Sequence, residues 1–174
     1  KNRALSKTDE EFICESVEEY FDRFFYVVDA LGGEVLPACP EIRCVQVGRD
    51  SEEAARLLRK HLGFAEEGPI QNLVGAMENK GVLIFRCGIE NAHFSGMNGT
   101  VDGRPYLILN ANMTPERQRS TLVHELAHVF CVFPDDMPEK EREDFATAIS
   151  GAFLCPREDM LRELGVRRTR ITSD

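Results

Sequence analysis

At 174 residues, with 43% hydrophobic and 29% charged content, the chain has the size and balance of a soluble globular domain, with or without a helical appendage. A formal net charge of −9 argues against a surface that grips nucleic acid by its phosphates, which takes a basic face. No apolar run reaches membrane-span length and no secretory signal is visible, so no membrane association is expected and the expected location is cytoplasmic. The six cysteines (14, 39, 44, 87, 131 and 155) are scattered, and a core of this size needs no disulfide staples; reduced core thiols are expected. Cys39 and Cys44 are spaced like half of a zinc site, but no second pair completes it.

In chain order, Thr8 to Leu31 predicts a helix, with Phe12, Val17, Tyr20, Phe21, Phe24, Phe25 and Val28 on one apolar face and Gly32-Gly33 as its stop. So aromatic a face is expected to dock on the main body or on a neighbouring chain. Leu36 to Gly48 reads as a linker or irregular connection. Asp50 or Ser51 caps a second helix to about Leu62, whose basic end, Arg59-Lys60-His61, suits the helix dipole; His61 reads as a solvated helix-end residue. A third helix is expected over Ile70 to Asn79. Then come a short buried strand, Val82 to Phe85, a second apolar stretch, Phe94 to Met97, and a hairpin. The hairpin joins Thr100-Val101 to Tyr106–Leu109 through Asp102-Gly103, a favoured two-residue turn. The reading is α+β: helices with a small three- to four-stranded, mainly antiparallel sheet placed before the helix that follows. An exposed edge of that sheet would suit an extended peptide. His93 near these strands is read as an ordinary polar residue, and Asn98-Gly99-Thr100 as a glycosylation match without meaning in an unsecreted chain.

The next helix carries the chemistry. Thr114-Pro115-Glu116 opens it with a cap, a first-turn proline and an early acid, and Pro134 marks its expected end. His124-Glu125-Leu126-Ala127-His128 lies within it. Residues four apart share a helix face, so His124 and His128 present two imidazoles that can share one metal ion. Glu125, turned about a quarter of the way round the axis, can reach a water on that ion as general base without being a ligand. A catalytic zinc needs a third protein ligand. Of the downstream acids, Asp135, Asp136 and Glu139 fall at or near the start of the following helix, where acids cap it and complement its dipole. Glu143 continues through Thr147, Ser150 and Leu154 with Ala146 alongside, a face of mostly small residues that lets the two helices approach closely. Phe145, Ala148, Ile149, Ala152 and Phe153 are expected to fill another face as core. Glu143 is the third-ligand candidate.

Arg119 to His128 resembles the active helix of the ImmA/IrrE metallopeptidases. Glu143 to Pro156 is similar to their second motif, with Leu154-Cys155-Pro156 as its ending. Glu52 to Gly63, Gly68-Pro69-Ile70 and Asp102 to Asn110 fit upstream, so the likeness covers roughly residues 50 to 160. Thr147 stands where that family usually has asparagine, and Cys155 where it has methionine. The resemblance implies a zincin-like fold and a zinc site of His124, His128 and Glu143, with manganese or iron as other occupants. It also implies cleavage of a transcriptional repressor, a helix-turn-helix protein, as substrate and partner. The same ligands would serve a metal-bound regulatory module that holds such a partner and cuts nothing. Residues 1–48 are read as an N-terminal helix and linker, and 49–174 as the zincin-like domain. The start at Lys1 and the charged, loop-like tail Arg167–Asp174 are read as marks of a piece of a longer protein, and the resemblance implies a helix-turn-helix domain in front.

Overall fold

The computed structural model describes residues 7–33, 35–91 and 93–165; the tail expected from Arg167 lies outside them. Helices α1 (Lys7–Ala30), α2 (Ser51–His61), α3 (Leu73–Glu78), α4 (Pro115–Phe130), α5 (Glu139–Leu154) and α6 (Arg157–Leu164) surround two small sheets. One pairs β1 (Val45–Gln46) with β5 (Cys131–Val132); the other holds β2 (Leu83–Cys87), β3 (Gly96–Val101) and β4 (Arg104–Asn110) in the order β2-β4-β3. The α+β class read from the sequence stands.

The sheet that precedes α4 has three strands and is mixed rather than mainly antiparallel. β3 and β4 form the expected hairpin, Val101 facing Arg104, with Asp102 and Gly103 both at positive φ as a two-residue turn of this hand requires. That turn returns the chain into the centre of the sheet, between β3 and β2. β4 therefore runs parallel to β2, with Leu83 opposite Tyr106 and Cys87 opposite Asn110.

Strand alternation divides the interior into two layers. Ile84, Leu107 and Leu109 face the helices and join Leu58, Leu122, Leu126, Phe130, Ile149 and Phe153 in the larger core. Leu83, Phe85, Tyr106 and Ile108 face the other way, onto α1. There Tyr20 stacks on Phe85 at 4.4 Å and Phe21 meets Tyr106 edge-on at 4.9 Å, so the aromatic face of α1 covers the sheet. Its buried stripe begins at Ile13; Phe12, expected inside, is 50% exposed.

Other expectations shift for local reasons. α4 stops at Phe130, four residues before Pro134, because Cys131 turns extended to pair with Val45. The connection after α1 thereby contributes a strand, and Val45 and Val47 are core residues. Ala148 is exposed rather than core. His61 is half-buried, its Nε2 2.9 Å from the Glu41 carbonyl and its ring beside Phe130, not solvated. Arg59 is 1% exposed, and its guanidinium donates to the carbonyls of Phe153 (2.8 Å), Ala65 and Gly68 (3.0 Å each), tying α2 to the end of α5. The C-terminal carbonyls of a helix are where a cation is most favoured, and here the cation comes from another helix.

Candidate metal centre

α4 is anchored at its start by Thr114, whose hydroxyl accepts from the Arg117 amide. Its apolar residues Leu122, Val123, Leu126 and Ala127 are fully buried, so the helix has one rotational setting. That setting turns His124 and His128 toward α5. The two helices approach closely because α5 offers Ala146 and Ser150, both buried, at the contact; the Ser120 and Ser150 hydroxyls lie 3.2 Å apart.

The approach brings the expected donors together. His124 Nε2 and His128 Nε2 are 3.2 Å apart, and the Glu143 oxygens lie 3.3 Å from each. Four ligands held tetrahedrally at about 2.0–2.1 Å stand about 3.3 Å from one another. Oε2 of Glu143 faces His124 and Oε1 faces His128, so the three side chains come close to the spacing of three corners of such a site, and a donor set of two imidazoles and one carboxylate suits a zinc-type ion. The Glu143 side chain is 56% exposed, against 20% and 18% for His124 and His128, so the side away from α4 is open.

Hydrogen bonds prepare the imidazoles. Thr147 Oγ1 donates to the Glu143 carbonyl at 3.0 Å, which leaves it to accept from His124 Nδ1 at 3.2 Å. This pattern assigns the His124 proton to Nδ1 and the lone pair to Nε2, the atom facing Glu143. Burial pushes the His128 imidazole below its ordinary range, against the pull of the Glu143 charge. The neutral ring is the ligating form.

Glu125 faces β3. Gly96, on that strand, packs so closely on α4 that an added Cβ would lie 2.6 Å from the Thr121 methyl and 2.7 Å from the Ile108 carbonyl. With β3 this near, Asn98 Nδ2 donates to Glu125 Oε2 at 2.7 Å. Glu125 is only 8% exposed. Burial pushes its carboxyl above the usual carboxylate range, opposed by the Asn98 hydrogen bond and by His124, while the Glu143 charge adds to the push. His124, Glu125, Glu143 and Thr147 line one open cleft of about 220 Å³, whose far end is formed by His93, Ser95, Arg117 and Ser120.

Residues 77–173 match the family model Peptidase_M78, described as the IrrE N-terminal-like domain. The chain belongs to this family. The matched stretch begins at the end of α3 and takes in the sheet, α4 and α5, so all the cleft residues named here fall within it, whereas α1, β1 and α2 precede it. Comparisons with curated proteins and with solved structures give no match. An IrrE-like peptidase domain and a cluster of donors able to hold a metal ion are mutually consistent.

The sequence missed Asn98, which it showed only as part of an Asn-Gly-Thr match, and Arg117 and Ser95. The signal for Asn98 is its phase: it shares the face of β3 that carries Gly96, the face turned to α4. Asp135, Asp136 and Glu139 make no side-chain cap on α5, though Glu139 lies in its first turn and complements the dipole as expected; Asp136 instead pairs with Arg49 at 3.1 Å. No helix among the described residues is long and apolar enough to cross a membrane.

Proposed function

We propose that the chain is a zinc-dependent endopeptidase that hydrolyses a peptide bond in a transcriptional repressor, a helix-turn-helix partner, to relieve repression. The observation that carries this reading is the cleft itself: His124 and Glu143, two of three donors gathered closely enough to hold one ion, share it with Glu125, a buried carboxylate on the helix that carries His124. His124, His128 and Glu143 would hold the ion, with manganese or iron as other possible occupants. Bound there, zinc supplies Lewis acidity toward a water and a scissile carbonyl.

Glu125 accepts the proton of the attacking water and delivers it to the leaving amine. Asn98 holds Oε2, so the other carboxylate oxygen is the one presented for that proton. Thr147 keeps the His124 ring in one orientation throughout.

The test is Glu125→Gln. The expected result is unchanged zinc content with loss of repressor fragments. Cleavage retained by that variant removes Glu125 as the base. If the wild-type protein, supplied with zinc, binds its partner and yields no fragments, the chain is a regulatory module instead.

A further inference from the structure

The end of the cleft away from Glu143 has a cation that the hydrolytic chemistry does not use. Arg117 Nη2 donates to the Ser95 hydroxyl at 2.9 Å, and among the described residues no carboxylate pairs with its guanidinium. In a chain of net charge −9, Arg23, Arg49, Arg56 and Arg162 pair with acids, whereas Arg117 stands exposed in the cleft beside the neutral Ser95 hydroxyl. A guanidinium has five N–H donors in a planar fork. One is committed to Ser95, which fixes the group without neutralising it.

Its place on α4 gives a register. Arg117 precedes His124 by seven residues, close to two full turns, so both fall on one stripe of the helix about 10 Å apart along its axis. Ser120 lies between them on the same cleft wall. An extended peptide advances about 3.3 Å per residue, so that distance spans about three residues.

We infer that Arg117 forms a carboxylate-binding subsite, selecting a polypeptide with an acidic side chain or a free C-terminus about three residues from the bond that is cut. The register rests on the peptidase reading; the carboxylate selectivity is measurable without turnover. A guanidinium held by a neutral hydroxyl is free to take a carboxylate in the two-pronged geometry that makes such pairs strong, in a cleft where solvent screening is reduced on one side.

The probes are blocked, alanine-rich octapeptides carrying one Glu at successive positions, their Gln counterparts, and a neutral octapeptide with an unblocked C-terminus. Binding to the zinc-supplied Glu125→Gln protein is read by fluorescence anisotropy. Peptides with Glu suitably placed, or with the free C-terminus, should bind about three- to tenfold more tightly than neutral ones, and less so at high salt. The Glu series and the unblocked peptide tell which source of carboxylate is taken. Arg117→Gln should erase the difference, Arg117→Lys, which keeps the charge and loses the two-pronged fork, should keep only part of it, and Arg117→Glu should transfer it to Lys-bearing peptides. A preference that survives in Arg117→Gln, or no difference between charged and neutral probes, overturns the subsite. Where the wild-type protein cuts such peptides, the cut should lie two to four residues from the carboxylate, and cuts unrelated to it overturn the register. Selective binding through Arg117 with no cleavage of any peptide or partner leaves the subsite standing and sinks the peptidase reading.

Discussion

The amide of Asn98, on the edge strand of the sheet, donates to the carboxylate of Glu125, on the helix beneath it, at 2.7 Å. With Glu125 8% exposed, removing this donor leaves a buried carboxylate short of a partner. Asn98→Ala is expected to destabilise the fold by about 1.5–3 kcal/mol in urea unfolding. On the proposed function it should also lower the hydrolytic rate about 10- to 100-fold while metal content stays the same, because Glu125 would lose its orientation and the ion none of its ligands. Full stability and full activity in that variant would show the bond to be incidental.

Gly96 is where β3 rests on α4. Gly96→Ala places a methyl against the Thr121 methyl and the Ile108 carbonyl, and overpacking of that kind costs about 1–3 kcal/mol. Thr121→Ser removes the first obstacle but not the second, so the double variant should recover part of the loss. Thermal denaturation of the four proteins checks this, and a neutral Gly96→Ala would mean that β3 has room to move off the helix.

Arg59 joins α2 to the C-terminal carbonyls of α5 from an almost wholly buried position. Arg59→Leu keeps the apolar stem and strips the donors, leaving the carbonyls of Phe153, Ala65 and Gly68 without them. One buried acceptor, the Phe153 carbonyl, and two part-buried ones are affected at once, so a loss of about 2–4 kcal/mol is expected from chemical denaturation. A loss below about 1 kcal/mol would place those carbonyls in contact with water.

How much of this was legible in the sequence depended on how local each signal is. His124, Glu125 and His128 are readable because helical periodicity alone puts them on or beside one face. Glu143 was reachable one step further, through the small residues Ala146 and Ser150, which are buried where α4 and α5 meet. The Asp102-Gly103 turn was equally readable, since its left-handed backbone selects those residues. The parallel pairing of β2 with β4 was not, because nothing between Cys87 and Gly96 states on which side of the sheet the chain returns. Arg59 and His61 were misread for a related reason: a basic helix end suits solvent and dipole alike, and only the position of Phe153 and Glu41 decides otherwise. Asn98 meets a residue, Glu125, that lies 27 positions further along the chain, beyond any local pattern.

The thiols should divide sharply. Cys14 and Cys155 are exposed and Cys87 and Cys131 buried, and burial pushes the Cys131 thiol up to about 12. Under native conditions Cys14 and Cys155 should react with a thiol reagent within minutes, with Cys87 and Cys131 modified only on unfolding. A thiol whose pKa is raised by folding stabilises the fold below its unfolded value near 9 and ceases to do so as pH climbs toward the folded one. Stability should therefore decline above about pH 9 in the wild type, and less steeply in Cys131→Ala. Fast native labelling of Cys131 would contradict the packing of β5 against β1.

Metal content measures directly whether the three donors of α4 and α5 act as one site. Elemental analysis of the purified protein, supplied with zinc and freed of loosely held ions, is predicted to give one equivalent per chain. His124→Ala, His128→Ala and Glu143→Ala, each still folded by circular dichroism, should fall to a small fraction of that value. A full equivalent retained in all three variants, or no ion held by the wild-type protein, would contradict a shared site.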